Sequence, residues 1–360
     1  MKPSILIKGN FSEGNFGDDA LLLACHQLLT RLGLDHVSVY NCDYLYYAKD
    51  LAKTAQVGLF DNNDVELVLY AGGTQFFSFC TEKNSFLKKI KSRLSAYKWV
   101  KSQHSNYAMI GVGFGPFSNG IKEHIFAGAI IKKSSFTWVR DHYSFDECIS
   151  LGIENFHLGA DLCFLSEFQE WCNLKPNNAN KVEKIGIVIR HWKHGEGNIY
   201  INKLIELSKR LKKTNYDLEF YLFSDKDDAL VEDILVANKI KYVKWAKSKY
   251  TFREFLAELE TCDLFVTARF HTAIFSTLMQ KPFITVGLDQ KLTYLSSQFD
   301  NECFNWYPDK SVEELTQKVT YVSENYMSLK ENITKAKMKM ETLSDNAGKL
   351  FNEYLQSITK

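Results

Sequence analysis

TARFHTAIFSTLMQKPFITVGLDQK, residues 267–291, is the stretch whose reading decides the fold. Just upstream, the apolar run CDLFVTA (262–268) reads as a buried strand that stops at Arg269-Phe270-His271. Residues 272–279 read as a short helix, Lys281-Pro282 breaks it, and residues 283–287 resume as a strand. Asp289-Gln290-Lys291 closes the unit. A strand that ends in an Arg and a His just before a helix N-terminus is where open α/β sheets bind ligands. Backbone N–H groups and the helix dipole add positive potential there, so the expected ligand is an anion.

The same pattern recurs through the chain. Residues 5–7 form a first strand that runs into a glycine-rich turn, Gly9 to Gly17, and then a helix from about residue 18 with Leu21, Leu22, Cys25, Leu28 and Leu29 on its apolar face. This is neither a GxGxxG fingerprint nor a P-loop, since no GK[ST] follows. Gly14 and Gly17 let a ligand approach the backbone, and Asp18 and Asp19 either cap the helix or act on that ligand. Further strands are expected at 36–40, 66–70, 107–112, 136–139 and 155–157. The 66–70 strand runs into Gly72-Gly73-Thr74, and the 107–112 strand into GVGFGP, which carries Gly113. The 136–139 strand ends at Arg140-Asp141, ahead of a helix opened by Ser144. Five of these strands end in glycine-containing or charged loops on what should be one sheet edge.

Residues 174–184 are polar and Asn-rich, the composition of a linker. A second α/β series follows, with strands at 185–189 (ending at Arg190), 219–223 and 242–243, and helices near 200–211, 227–237 and 251–259. Helical segments at 311–322 and 324–355 close the chain. The expected architecture is α/β, two Rossmann-like doubly wound domains facing a cleft, at 1–175 and 181–340, with a C-terminal helix at 341–360.

Length and composition agree. The 360 residues suit two domains, and 45% hydrophobic with 24% charged residues is ordinary for a globular protein. A net charge of +1 argues against a nucleic-acid grip driven by overall basicity. No apolar stretch reaches the roughly 18–20 residues needed to span a bilayer, and the N-terminal apolar run is too short for a secretory signal. The eight cysteines show no CxxC or paired spacing, so a reducing cytoplasm is expected. Between Glu82 and Glu123 no acidic residue occurs, while Lys83, Lys88, Lys89, Lys91, Arg93, Lys98, Lys101 and Lys122 all do. Phe86, Ile90, Leu94 and Tyr97 sit at helical spacing within that stretch. This reads either as a solvated face over a core stripe or as a basic amphipathic helix that touches a membrane surface or a phosphorylated substrate.

The motifs GNFGDDALL (14–22), YAGGTQ (70–75), GVGFGP (111–116), VRDHYS (139–144), GADLCF (159–164), VIR (188–190) and ARFHTAIFS with KPFITVGLDQK (268–291) occur in this order. Together they resemble the polysaccharide pyruvyl transferase family. The resemblance implies a fold similar to GT-B glycosyltransferases. It also implies transfer of the pyruvyl group of phosphoenolpyruvate, as donor substrate rather than cofactor, to a sugar of an exopolysaccharide or cell-wall glycan precursor. Arg190, Arg269 and His271 then match donor-binding positions in the second domain, with Lys291 adding charge at the phosphate. The first-domain loops, with Asn15, Gly17, Asp18, Gly72, Gly73, Thr74 and Gly113, face the acceptor. A lipid-linked acceptor would give the basic helix a reason to meet the inner face of a membrane. Homo-oligomerisation is left open.

The residues suit this chemistry on their own terms. Phosphoenolpyruvate presents a carboxylate and a phosphate, which arginine can hold bidentately. Ketal formation moves protons, for which His271 and Asp18 are the catalytic candidates. Other readings stand beside these. Arg269 and His271, flanking Phe270, would share a strand face, and a structural Arg–carboxylate pair with a capping His explains them too. Arg140-Asp141 reads as an ion pair or a ligand contact. His191, His194 and Glu196 lack a rigid metal-ligand spacing, so no metal is expected. A nucleotide-sugar glycosyltransferase would need the same anion site plus an acid for the ribose, such as Asp289. A non-catalytic glycan-binding homologue would keep the fold alone.

Overall fold

The computed structural model describes residues 3–11, 14–34, 37–40, 65–76, 86–101, 106–115, 117, 121–176, 178–194, 197–214, 216–297, 299 and 304–358. The chain divides into two compact units. One comprises Met1–Ser12, Ala20–Trp171 and Met340–Lys360, the other Glu13–Asp19 and Cys172–Lys339. The units part beside the polar 174–184 stretch, and the segment 13–19 groups with the second unit although its sequence neighbours belong to the first.

In the first unit, β1 (Ile5–Lys8), β2 (Val37–Val39), β3 (Leu67–Ala71), β5 (Asn106–Phe114), β6 (Phe136–Val139) and β7 (His157–Leu158) form a parallel sheet in the order β2-β1-β3-β5-β6-β7. The short β4 (Thr74–Phe76) lies along the end of β5. Nearly every strand residue is buried, so the strands are continuous apolar runs rather than alternating ones, as parallel strands covered on both faces must be. The helices are α1 (Phe16–Arg31), α2 (Phe86–Lys101), α3 (Ile121–Ile131), α4 (His142–Ser150) and the short α5 (Ser166–Cys172). Asp141, not Ser144, caps α4. Its carboxylate accepts from the Ser144 N–H at 2.7 Å, while the Ser144 hydroxyl is taken by the Phe114 N–H. The strand order reverses between β1 and β3, whose C-terminal ends carry the loop that opens at Gly9 and the Gly72-Gly73 pair.

In the second unit, β8 (Lys184–Ile189), β9 (Asp217–Leu222), β10 (Tyr242–Lys244), β11 (Leu264–Thr267), β12 (Phe283–Val286) and β13 (Asn305–Trp306) form a parallel sheet in the order β10-β9-β8-β11-β12-β13. Counted from β8, this is 3-2-1-4-5-6, the dinucleotide-fold order. The helices are α6 (Ile199–Leu211), α7 (Ala229–Ala237), α8 (Phe252–Glu260), α9 (Phe270–Leu278), α10 (Gln290–Ser297), α11 (Val312–Glu324) and the first part of the long α12 (Tyr326–Ile358), whose residues from Met340 onward group with the first unit. Thr251 and Glu254 form a capping box at α8. Here the order reverses between β8 and β11, so Arg190 and Arg269 follow the two strands that flank the switch point.

Phe16 explains why residues 13–19 belong to this unit. Its ring stacks on Phe252 at 4.5 Å and meets Phe255 at 4.7 Å, Trp245 at 5.1 Å, Phe223 at 5.2 Å and Phe275 at 5.3 Å. Its N–H donates to Phe223 O at 2.9 Å, just past β9, and Asn15 bridges Ser224.

Candidate functional site

The site begins where β11 ends. The Thr267 hydroxyl accepts from the Arg269 N–H at 3.0 Å and donates to the Arg269 carbonyl at 3.1 Å, turning the chain out of the sheet. Arg269 is then the N-cap of α9, with no side-chain cap, and the helix starts at Phe270, two residues earlier than sequence spacing suggests. Arg269 and His271 therefore do not alternate on a strand. One is the cap and the other sits in the first helical turn, whose N–H groups have no intrahelical partners.

Arg269 is 8% exposed, and its Nη2 lies 2.6 and 2.5 Å from the two carboxylate oxygens of Asp228, which is fully buried. Asp228 also accepts from the His191 N–H and the Ser224 N–H, each at 3.0 Å. One carboxylate thus ties the ends of three strands together: Ser224 beyond β9, His191 beyond β8, and Arg269 beyond β11. The sequence reading missed Asp228. It stands in SDKDDAL, where an acid before a helix reads as a cap, yet its carboxylate makes no cap bond to α7.

Arg190 is held differently. The Tyr200 hydroxyl accepts from its N–H at 2.9 Å and donates to its carbonyl, fixing the backbone. Its guanidinium lies 4.7 Å from the Trp192 ring centroid, and Nη1 is 3.5 Å from Asp289 Oδ2. Burial lowers the Arg190 pKa from its ordinary value, and the nearby Arg269 charge lowers it further. Lys291 Nζ is 3.6 Å from the same Asp289 oxygen, while the other Asp289 oxygen accepts from the Leu292 N–H in the first turn of α10. Three cations (Arg190, Arg269 and Lys291) thus face two carboxylates. The buried Nε atoms of both arginines have no hydrogen-bond partner among the described residues. A partly buried cluster with surplus positive charge and unused donors is suited to an anion with more than one acidic group.

The 14–19 segment lies against His271 and the residues just past β9. A Cβ placed on Gly17 would stand 2.2 Å from His271 Nδ1, so only glycine leaves the imidazole its position. Asn15 Oδ1 accepts from the Gly17 N–H at 2.9 Å and holds the turn. Asp18 is half-buried in the first turn of α1. Asp19 is buried, paired with Lys247 at 2.8 Å and bonded by Trp245 Nε1 at 2.9 Å, which gives it a structural duty. Asn15, Gly17 and Asp18 thus group with His271 in the second unit.

Of the other expected residues, Thr74 and Gly113 gather around Arg140 in the first unit. Arg140 bonds Thr74 Oγ1 at 3.1 Å and Asp161 at 3.3 Å, and approaches Asp141 at 3.4 Å. A Cβ on Gly113 would meet its guanidinium at 2.9 Å. Gly72, at φ 62°, would drive a Cβ into Leu21. Gly73 carries φ 72°, and its carbonyl accepts from the Gly113 N–H at 2.8 Å. Of the His191, His194 and Glu196 trio, His191 Nδ1 is engaged with Asn198, and Glu196 lies outside the described residues.

The fold is that of two-domain, GT-B-like α/β proteins. Staphylococcus aureus MnaA, solved with UDP, superposes with a TM-score of 0.61 at 9% identity, covering 100% of this chain and 98% of that one. Anabaena HepE, solved with UDP and glucose, gives 0.58 at 9% identity over 99% and 100%. Methanocaldococcus jannaschii UDP-GlcNAc 2-epimerase, solved with UDP-GlcNAc and UDP, gives 0.55 at 11% identity over 89% and 92%. At such identities the likeness is one of fold. Among curated proteins, none matches the sequence significantly. The family model for polysaccharide pyruvyl transferase matches residues 15–290, from the Asn15 turn to the start of α10, and the chain belongs to that family.

Proposed function

We propose that the protein transfers the pyruvyl group of phosphoenolpyruvate to a saccharide of an exopolysaccharide or cell-wall precursor, forming a pyruvate ketal. The observation that carries this reading is the pair of arginines, buried Arg269 and half-buried Arg190, whose Nε donors are buried and unused at the switch point of the second sheet. Phosphoenolpyruvate has two acidic groups at opposite ends of a short rigid frame, and two arginines plus Lys291 offer it a matching set of donors. Arg269 is oriented by Asp228, whereas Arg190 is held by a long contact to Asp289 and is the freer of the two to take up ligand.

In the transfer, C2 of phosphoenolpyruvate gains bonds to two sugar oxygens and its bond to the phosphate oxygen breaks. One hydroxyl proton is delivered to C3, which becomes the methyl group, and the other leaves with phosphate. His271, in the first turn of α9, is the proposed proton carrier at C3. Asp18, next to the Gly17 that abuts His271, is the proposed acceptor of a sugar hydroxyl proton. The N-terminus of α9 and Lys291 stabilise the departing phosphate.

The test is incubation with phosphoenolpyruvate and a panel of bacterial glycan precursors, read by phosphate release and by the methyl signal of the ketal in proton NMR. Equal amounts of both, lost in His271→Ala, would support the reading. Turnover of a UDP-sugar, with phosphoenolpyruvate untouched, would replace it with glycosyl transfer.

A further inference from the structure

The helix α2 has two apolar faces. On one, Ala96 is buried and Trp99 packs on Tyr107 at 5.3 Å and Tyr70 at 5.9 Å in the core of the first unit. On the other, Ile90, Leu94 and Tyr97 follow at i, i+4 and i+7 and so stack in one row. They are 40%, 54% and 65% exposed. The core-stripe reading of these positions is therefore corrected. The core takes Ala96 and Trp99, and the Ile90 row faces outward. The side chains of residues 86–89 lie outside those described.

Cations border this row and acids do not. Lys91 and Lys98 run along one side of it, Arg93 along the other, and Lys101 ends it, all of them exposed. No acidic residue occurs from 83 to 122, although the whole chain carries only +1. The positive charge is local to this face. Among the described residues no helix is long and apolar enough to cross a membrane.

We infer that the outer face of α2 docks the protein on the surface of an anionic lipid bilayer. The row of Ile90, Leu94 and Tyr97 enters the boundary between headgroups and acyl chains, and the flanking lysines and Arg93 meet the lipid phosphates. A tyrosine with an apolar body and a polar tip belongs at that depth. The charge pattern decides between occupants. A nucleic acid would engage the cations but leave the apolar row in water, and a second copy would bring the same cations face to face. An anionic bilayer satisfies both features at once.

The experiment is co-sedimentation of the full chain with vesicles of phosphatidylglycerol and phosphatidylethanolamine, and with phosphatidylcholine vesicles as the neutral control. Binding to the anionic vesicles alone is expected. It should fall about 30-fold in the double variant Lys91→Ala/Lys98→Ala and at least as much in Leu94→Glu/Tyr97→Glu. Both variants alter exposed positions, and an unchanged melting temperature checks that they fold. Equal binding by wild type and the Leu94→Glu/Tyr97→Glu variant would overturn the inference, as would no binding to anionic vesicles. So would a dimer in sedimentation velocity that Leu94→Glu dissolves, because the face would then be a contact between copies.

Discussion

At the residue scale, the second unit depends on the pairing of Arg269 with Asp228. Both are buried, and Asp228 accepts from two backbone N–H groups as well. Asp228→Ala would leave a buried guanidinium unpaired and should cost about 3–5 kcal/mol in urea unfolding. A cost below about 1 kcal/mol would mean that water reaches Arg269. For the same reason Arg269→Ala confuses binding with stability, and Arg190→Gln is the cleaner probe of the anion site. Gly17 gives a sharper test of geometry. Gly17→Ala pushes the His271 ring from its place and should reduce transfer at least tenfold while phosphoenolpyruvate binding survives. Equal loss of binding and turnover would assign His271 to holding the donor rather than to proton transfer.

At the element scale, Phe16 anchors the start of α1 within an aromatic cluster of the second unit. Phe16→Ala should destabilise that unit by about 3–5 kcal/mol, measured by its melting transition. A shift confined to the first unit's transition would contradict the grouping of 13–19. The end of α7 offers an opposite change. Lys239, exposed at φ 54°, closes the helix with its neighbour Ile240, whose N–H donates to Leu235 O at 3.0 Å. Lys239→Gly should stabilise by about 1 kcal/mol, since an L side chain is strained there. These elements also show what a sequence discloses. The strands around residues 185–189, 262–268 and 283–287 were legible because parallel strands buried on both faces are unbroken apolar runs. Arg190 and Arg269 were legible because they end such runs. Neither the partnership of Phe16 with Trp245 and Phe252 nor that of Asp228 with Arg269 was legible. Each joins residues tens to hundreds of positions apart, and in sequence both Phe16 and Asp228 stand where a local role explains them. Helix α2 misled for the opposite reason, since helical spacing reports a stripe without saying which side of it the core occupies.

At the scale of the whole molecule, two doubly wound sheets each place their richest loops at the point where strand order reverses. In the first unit these are the loop that opens at Gly9 and Gly72-Gly73, with the Arg140 cluster set by Thr74 and Gly113. In the second they are Arg190 and Arg269. The chemistry rests on a narrower base, the cation cluster beside His271. Its most direct test is the melting temperature of the wild type and of Arg190→Gln with increasing phosphoenolpyruvate, against UDP and UDP-GlcNAc. At one hundred times its dissociation constant, a ligand of the native state adds about 2.7 kcal/mol, which should raise the melting temperature of a unit this size by about 5–10 °C. A rise with phosphoenolpyruvate that Arg190→Gln abolishes is the expected result. A rise with the uridine nucleotides and none with phosphoenolpyruvate would contradict the assignment of this site to a pyruvyl donor.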